Sequence, residues 1–221
     1  MRFCLSVDLG SENDYTAYSV LERVEKVQDK NIPSLNSRPI RDEPIIVTAE
    51  LHLIQMKRIP LKTPYPNVVE EVGRIVNSPE FVDQIALIVD RTGVGIPVIQ
   101  MMYQRGLSPI GITIHGGDRV TTSKDNYGVP KRDLVTALLN AYYMKRFKTM
   151  SPAKMPIVKD FRDELEGFQM KINQLTGADS YEAWLERIHD DLVISAAMGV
   201  WWMDKIHGIS TTLDKNFRAG Q

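Results

Sequence analysis

Aspartates end two apolar segments of the sequence, and two more stand together before a third. Asp8 closes the run FCLSVD, Asp90 closes IALIVD, and Asp190 and Asp191 precede LVISAAMGVWWM. Carboxylates held close together repel each other and take up protons unless a cation lies between them. Hard divalent ions such as Mg²⁺ and Mn²⁺ prefer such oxygen ligands. If the fold brings the four aspartates together, they predict a metal centre.

Each aspartate also has a purely structural explanation. Asp8 and Asp90 are followed by glycine-containing turns, whose N–H groups can donate hydrogen bonds to an aspartate. Asp190 or Asp191 can cap the helix that follows and meet the positive end of its dipole. The metal hypothesis therefore depends on whether the surrounding elements make the carboxylates converge.

Strand and helix patterns indicate how the chain is organised around these residues. RFCLSVDLG and DYTAYSVLERVEKV predict a β-hairpin, and the alternation in IIVTAELHLIQM predicts a strand with His52 on its wetter face. Helical and strand patterns then alternate through NVVEEVGRIVNS, QIALIVD, GIPVIQMMYQRG, SPIGITI and PKRDLVTALLNAYYMKRF. A second hairpin is expected to turn at 176–179, before the final helix. This order predicts a mixed α/β sheet with helices on both faces.

The expected sheet places the acids at one edge. In open α/β sheets the functional crevice lies beyond the carboxyl ends of the strands, where Asp8 and Asp90 are found. If the final helix packs across the sheet, Asp191 joins them and Asp190 lies nearby. Small residues permit that close packing: Ser195, Ala196 and Gly199. Divalent ions held there can activate a nucleophile and neutralise a phosphodiester.

Composition narrows the class of protein. The chain has 221 residues, 25% charged and 43% hydrophobic, with a formal net charge of −1, so any nucleic-acid contact must be a local patch. A single cysteine, Cys4, excludes an intrachain disulfide. No run is apolar enough for a membrane span or a signal peptide, and we expect the protein to act in a cytoplasm. We expect one domain over 1–210 with an inserted loop at 24–44, and a flexible tail at 211–221.

The ordered motifs carry a resemblance to a known family. Five segments follow one another in an order that resembles the nuclease domain of the large terminase subunit of tailed bacteriophages. They are VDLGSENDYTAYSVLE, LIVDRTGVGIPVIQMM, VPKRDLVTALLNAY, FRDELEGFQ and HDDLVISAAMGVWW. That domain is a relative of ribonuclease H and the RuvC resolvase. The resemblance implies a ribonuclease H-like mixed five-stranded sheet flanked by helices, with an extra hairpin.

The same resemblance implies an activity. It is the metal-dependent cleavage of double-stranded DNA, in particular of concatemeric viral genomes during phage DNA packaging in the bacterial host cytoplasm. Asp8, Asp90 and Asp191 are then ligands of Mg²⁺ or Mn²⁺, with two ions expected, and Asp190 is an accessory or alternative ligand. The implied partners are an ATPase motor domain, the small terminase subunit and the portal.

One departure from the family and three alternatives qualify this interpretation. The chain has no G-x-x-x-x-G-K-[ST] phosphate loop, so it is either the nuclease half alone or a related phage nuclease with another task. A resolvase-like nuclease is one alternative. An actin-like or sugar-kinase-like ATPase fragment is a second, although only one DLGS hairpin is present. A non-catalytic DNA-binding module is a third, although all the acids are retained.

Basic residues near the expected site are candidates for DNA binding. Lys131 begins the long helix and can reach a phosphate, and a place on the solvated surface is the alternative. The segment HGGDRVTTSKDNYGVPKR is interpreted as a mobile DNA-contacting loop. Its basic candidates, together with one histidine next to the paired aspartates, are Arg119, Lys124, Arg132 and His189.

Further acids and two tryptophans have less definite roles. Asp160, Asp163 and Glu164 fit the solvated face of a short helix, although the resemblance places a further acid of the family near the active site at this point. Trp201 and Trp202 fit core and boundary packing, and one of them is a candidate contact with a motor domain.

Overall fold

A mixed β-sheet with helices on both faces forms the protein, as seen in a computed structural model that describes residues 1–11, 13–28, 45–174, 190–208 and 210–213. The strands are β1 (Phe3–Asp8), β2 (Thr16–Gln28), β3 (Ile45–Ile59), β4 (Ile85–Asp90), β5 (Ile110–His115), β6 (Thr121–Ser123), β7 (Asn126–Pro130), β8 (Phe147–Thr149) and β9 (Ser210–Leu213). The helices are α1 (Tyr65–Val76), α2 (Gly95–Gln104), α3 (Lys131–Tyr143), α4 (Ile157–Gln174) and α5 (Asp191–His207).

The five predicted strands form the centre of a mixed sheet, and the structure gives their order as β5-β4-β1-β2-β3. The described part of the chain adds four more, with β7 and β6 beyond β5 and with β8 and β9 on β3. Strands β1, β4, β5 and β7 are mutually parallel, and β3 runs the same way because two antiparallel pairings separate it from β1. The carboxyl ends of these five strands therefore share one edge.

Two apolar cores, one on each face, hold the helices to the sheet. On one face, Leu5, Val7 and Val89 pack with α1 and α2. On the other, Cys4 and Ile88 pack with α3, α4 and α5. The prediction of helices on both faces is confirmed. Each central strand alternates between the two cores, which is why β1 and β4 are almost wholly apolar before their final aspartates.

Helix α5 lies unusually close to the sheet. Ser195 is fully buried, and its carbonyl oxygen accepts a hydrogen bond of 2.6 Å from Ser6 Oγ. A Cβ on Gly199 would lie 2.8 Å from that same hydroxyl and 2.9 Å from Leu21 Cδ1. The expectation that small residues allow the last helix to approach the sheet is confirmed.

Strand β3 follows the predicted alternation over its first part. Ala49, Leu51 and Leu53 are each 1% exposed, whereas His52 is partly exposed and bonds to Glu50. His52 thus lies on the wetter face, as expected.

A β-bulge then changes the phase of that strand. Leu21 of β2 pairs with Leu53, but its neighbour Val20 pairs with Gln55, so Ile54 is an extra residue in β3. An extra residue moves every later side chain to the opposite face. Beyond the bulge, the even-numbered residues of β3 face α5.

Four predicted boundaries differ from the structure. Residues 24–28, expected to begin the inserted loop, continue β2, and 29–44 lie outside the described residues. Residues 211–213, expected to begin a flexible tail, belong to β9 and pair with β3. A hairpin was expected to turn at 176–179, but the residues of its first arm are helical, because α4 continues to Gln174. The turn itself lies outside the described residues. The segment 121–130, expected to be a mobile loop, is the hairpin β6–β7 on the sheet edge.

No helix among the described residues is long and apolar enough to cross a membrane.

Candidate active site

Two aspartates lie side by side at the carboxyl edge of the sheet. Asp8 ends β1 and Asp90 ends β4, and these parallel strands pair in register up to Val7 and Val89. Asp90 is 7% exposed, and its Oδ1 accepts a 2.8 Å hydrogen bond from the backbone N–H of Thr92. The edge predicted from the strand ends is therefore the place where these two side chains meet.

The paired aspartates of α5 complete a group of four acids, which we call the acid cluster: Asp8, Asp90, Asp190 and Asp191. Asp191 is the first residue of α5 and is 5% exposed. Asp190 precedes the helix, and its carbonyl oxygen accepts the first helical hydrogen bond, from Ile194 N at 2.8 Å. Because α5 begins over the ends of β1 and β4, both carboxylates come close enough to Asp8 to influence its ionisation.

Different basic residues hold the two neighbours. Asp190 Oδ2 lies 2.6 Å from Lys131 Nζ, and Asp191 Oδ2 accepts a 2.6 Å hydrogen bond from Arg58 Nε. Neither side chain caps the helix, so the capping alternative for Asp190 and Asp191 is wrong. Adjacent helical residues differ by about 100° in direction, which explains why the pair faces two partners.

The helix cap comes from a residue of another helix. Glu164 of α4 accepts a 3.2 Å hydrogen bond from the backbone N–H of Val193 through Oε2. Its other oxygen, Oε1, pairs with Arg58. Glu164 is thus a buried member of the site, while its neighbours Asp160 and Asp163 are exposed and fit the solvated helix face.

Strand register explains how Arg58 reaches the cluster. Asp8 pairs with Ala17 of β2, and Ala17 pairs with Arg58 of β3, so the three residues form one row across the sheet. Cross-strand neighbours share a face, and the small Ala17 between the two charged residues leaves room for the start of α5. The bulge in β3 is what turns Arg58 to this face.

Burial and mutual repulsion govern the ionisation of the cluster. Burial raises the pKa of Asp8 well above its usual range, and the charges of Asp90, Asp190 and Asp191 raise it further. Burial also raises the pKa values of Asp90 and Asp190, against the opposing effect of Lys131 on both. A concentration of negative charge that favours protons also favours other cations.

Glu164 shares this behaviour. Burial and the charge of Asp191 raise its pKa to about 8, although Arg58 and the Val193 N–H act in the opposite direction. The site therefore extends from the acid cluster through Arg58 to α4.

Of the predicted basic residues, Lys131 lies within the site. Its side chain is 20% exposed and lowers the pKa values of Asp8, Asp90 and Asp190, so the solvated-surface alternative is wrong. It is placed by β7, which ends at Pro130 directly before α3.

The other basic candidates lie away from the acids. Arg119 and Lys124 are exposed in and beside the β6–β7 hairpin, and Arg132 pairs with Asp118 at 2.8 Å. His189 lies outside the described residues. Trp201 and Trp202 are partly buried on α5, and both pack edge-to-face on Tyr127.

The donors of the cluster suit a divalent ion, although two basic side chains occupy part of it. Carboxylate oxygens are the ligands that Mg²⁺ and Mn²⁺ prefer. As the side chains lie, no three acidic, histidine or cysteine residues of the described chain are grouped so that they could hold one ion. Lys131 and Arg58 take oxygens of Asp190 and Asp191, and they supply the positive charge that the cluster requires. The chemistry of the acids suits a metal ion, and a metal centre at this edge requires the two bases to give up oxygens.

One solved structure shows which fold this is, and two others resemble it more distantly. The large terminase nuclease from thermophilic phage G20c aligns with 89% of this chain and 80% of its own, with a TM-score of 0.52 and 16% identity. The chain has the fold of a large terminase nuclease. A structure of the G20c nuclease with bound zinc has a TM-score of 0.48, 15% identity, and coverage of 89% of this chain and 78% of that one. A Mn-soaked human cytomegalovirus terminase nuclease domain has a TM-score of 0.45, 12% identity, and coverage of 95% and 87%.

Sequence comparison alone does not reach this terminase-nuclease fold. No protein-family model matches the chain, and no curated protein does so either. The resemblance drawn from the ordered motifs is confirmed at the level of the fold.

Within the terminase-nuclease fold, sequence reasoning missed Arg58. Continuing the alternation of Leu51 and Leu53 places Arg58 on the opposite face of β3, away from the acids. The available signal was the break in that pattern at Ile54, where a second apolar residue directly follows Leu53. A bulge is the ordinary cause of such a break.

Proposed function

We propose that the protein is a divalent-metal-dependent endonuclease that cleaves double-stranded DNA. The observation that carries the proposal is the acid cluster: four carboxylates at the carboxyl edge of a terminase-nuclease fold, partly neutralised by Lys131 and Arg58. A purely structural group of this kind would be costly, because several buried acids with raised pKa values destabilise the folded state at neutral pH. Such an arrangement is typical of a functional site.

Mg²⁺ or Mn²⁺ is the expected cofactor, with two ions. Asp8, Asp90 and Asp191 would hold it, and Asp190 would be an accessory ligand. When bound, such ions supply an activated water nucleophile and neutralise the charge of a scissile phosphodiester. Asp8 and Asp90 are the rigidly held ligands of the site, because each ends a buried strand and the two strands pair with each other.

Lys131 has a role of its own in this proposal. Its ammonium group lies against Asp190 and acts on two further acids of the cluster. Once Asp190 is engaged elsewhere, this cation is available to a neighbouring phosphate oxygen of DNA, with which it pairs as a point charge. Lys131 therefore orients the backbone next to the bond to be cut.

The proposed biological substrate is the concatemeric genome of a phage during DNA packaging. The support is the fold shared with the large terminase nuclease of phage G20c. An ATPase motor domain, a small terminase subunit and a portal are the proposed partners, and the host cytoplasm is the proposed place of action. Exposed Arg119 and Lys124 on the β6–β7 hairpin are the proposed contacts with the DNA backbone beyond the cut.

Nicking of supercoiled plasmid DNA tests this function. The wild-type protein should relax and linearise plasmid in Mg²⁺ or Mn²⁺ and should be inactive in EDTA. Asp8→Asn and Asp90→Asn each remove a charged ligand at constant size, and each should lower the rate by at least about a thousandfold. Asp163→Asn is the matched control, because Asp163 is exposed on α4 outside the cluster. Wild-type rates in either cluster variant would remove that residue from the mechanism.

A further inference from the structure

Arg58 is held by three groups at once. Its Nε donates to Asp191 Oδ2 at 2.6 Å, its Nη2 pairs with Glu164 Oε1, and its guanidinium lies 5.0 Å from the centre of the Tyr15 ring. The side chain is only 21% exposed, and the side chains of both its acidic partners are less than 10% exposed. Arg58 is therefore a fixed part of the site rather than a surface charge.

This position sets Arg58 in competition with a cation. The carboxylate of Asp191 is a proposed metal ligand, and one of its two oxygens already accepts a charge-assisted hydrogen bond. A divalent ion beside Asp191 would also be repelled by the guanidinium, since like charges a few ångströms apart interact strongly in a partly buried site. Both effects oppose metal binding.

The other two partners allow Arg58 to release Asp191 without losing its own stabilisation. Glu164 is fixed by the Val193 N–H, so it offers a second carboxylate that does not depend on Asp191. The Tyr15 ring offers a cation–π contact on another side. An arginine that keeps an acid and an aromatic ring can move off one oxygen at small cost.

We propose that Arg58 is a positioning residue that occupies Asp191 in the metal-free protein and competes with the first divalent ion for it. The proposal rests on the proposed metal-dependent function. It makes Arg58 a determinant of metal affinity. The cluster stays partly neutralised and folded without metal, and it takes up an ion only as Arg58 leaves Asp191 and keeps its contacts with Glu164 and Tyr15.

The test is calorimetric titration of Mn²⁺ into metal-free protein, which needs no DNA and no catalysis. Arg58→Gln removes the competing charge and should tighten the Kd for Mn²⁺ about tenfold or more. Lys57→Gln is the matched control, because it removes the same charge from the adjacent residue of β3, which pairs with Glu71 at 2.7 Å on the other face. The Kd of the control should stay within about twofold of the wild type.

A second variant keeps the proposal falsifiable if Arg58→Gln does not fold, as circular dichroism would show. Arg58→Lys keeps the charge but loses the planar fork that serves Asp191 and Glu164 together. Its Kd should fall between those of the wild type and the Gln variant, at about threefold tighter than the wild type. A Kd equal to or weaker than that of the wild type in the folded variants would overturn the competition and make Arg58 an organiser of the ligands.

Failure of the proposed function gives a different result. If the wild type, both Arg58 variants and Lys57→Gln all bind no Mn²⁺, the metal centre itself is absent and the inference falls with it. If only the Arg58 variants bind Mn²⁺, the inference is supported in its strongest form.

Discussion

At the scale of single residues, the site is a balance between four acids and two bases. Burial and repulsion raise the pKa values of Asp8, Asp90 and Asp190, while Lys131 opposes the increase in each. Asp190 and Asp191 are neighbours in sequence, yet they pair with Lys131 and Arg58 respectively. Because the two aspartates have different partners, we expect substitutions of Asp190 and of Asp191 to have different effects on activity.

Substitution of the two neighbours should give unequal defects. Asp191→Asn is expected to abolish plasmid nicking at every Mn²⁺ concentration, because it removes a proposed ligand. Asp190→Asn should retain part of the activity at high Mn²⁺, since its loss leaves Lys131 to compete for Asp8 and Asp90, and excess metal overcomes that competition. Nicking rates of the two variants, measured over a series of Mn²⁺ concentrations, test this ranking. The reverse ranking would make Asp190 the main ligand of the pair.

The raised pKa of Glu164 leads us to expect that the stability of the metal-free protein depends on pH. Its pKa in the folded state is about 8, above its ordinary value of 4.5, so the folded state binds the proton more tightly. This stabilisation is fully present below about pH 4.5 and is lost as the pH rises through 8. In EDTA, the Tm of the wild type should therefore fall between pH 5 and 8 by several degrees more than that of Glu164→Gln, since about 1 kcal/mol corresponds to roughly 2–4 °C.

The control for that prediction is Glu166→Gln, two residues further along α4 and exposed. Its Tm should follow the wild-type curve across the pH range. Parallel curves for the wild type and Glu164→Gln would contradict the raised pKa.

At the scale of elements, the close approach of α5 to the sheet sets the position of the paired aspartates. A methyl group at Gly199 meets Ser6 and Leu21, which lie on two different strands. Gly199→Ala should lower the free energy of unfolding by about 1–3 kcal/mol, as overpacking does, and should weaken nicking because α5 moves away from β1. Urea denaturation measures the first effect.

Gly167→Ala is the control for this substitution. Gly167 lies within α4, and in the described part of the chain no atom beyond its neighbours and the backbone of its own helix lies within 4 Å of the position its Cβ would take. The change should stabilise the protein by up to about 1 kcal/mol through helix propensity. Equal effects of the two substitutions would show that α5 tolerates a wider spacing than its packing against Ser6 and Leu21 implies.

The β6–β7 hairpin is the element proposed to bind the DNA backbone. Replacing Arg119 and Lys124 together by alanine should reduce the slope of log K against log salt by about 0.9 for each phosphate that the protein no longer neutralises. Fluorescence anisotropy of a labelled duplex in EDTA measures binding without cleavage. Lys145→Ala with Lys154→Ala is the control, because these exposed lysines follow α3 and β8 at the other end of the sheet. An unchanged slope in the hairpin variant would place the DNA elsewhere.

Elements were easier to predict from the sequence than their departures from regularity. The apolar runs ending in Asp8 and Asp90 indicated both strands and the edge where they meet, because a parallel strand that is buried on both faces is mostly apolar. The side of the sheet on which Arg58 lies was not predicted, since one extra residue in β3 reverses it. The cap of α5 by Glu164 was not predicted either, because Glu164 lies in α4, about 30 residues earlier, and not in the first turn of α5.

At the scale of the whole molecule, one sheet separates two apolar cores and carries the acid cluster at its carboxyl edge. The core on the α1 and α2 side fixes the strands that end in Asp8 and Asp90. The core on the α3, α4 and α5 side brings Lys131, Glu164 and Asp191 to the same edge from three helices. The site thus depends on both layers being correctly packed, which is why residues distant in sequence meet there.

The most direct test of the metal-dependent nuclease centre is the anomalous difference map of a crystal of this protein soaked in Mn²⁺, with data collected above the manganese absorption edge. The expected result is a peak in contact with the carboxylates of both Asp8 and Asp90, with Arg58 displaced from Asp191. A map in which manganese occupies other sites, while Asp8 and Asp90 contact none, would contradict the claim that this edge of the sheet is a metal-dependent nuclease centre.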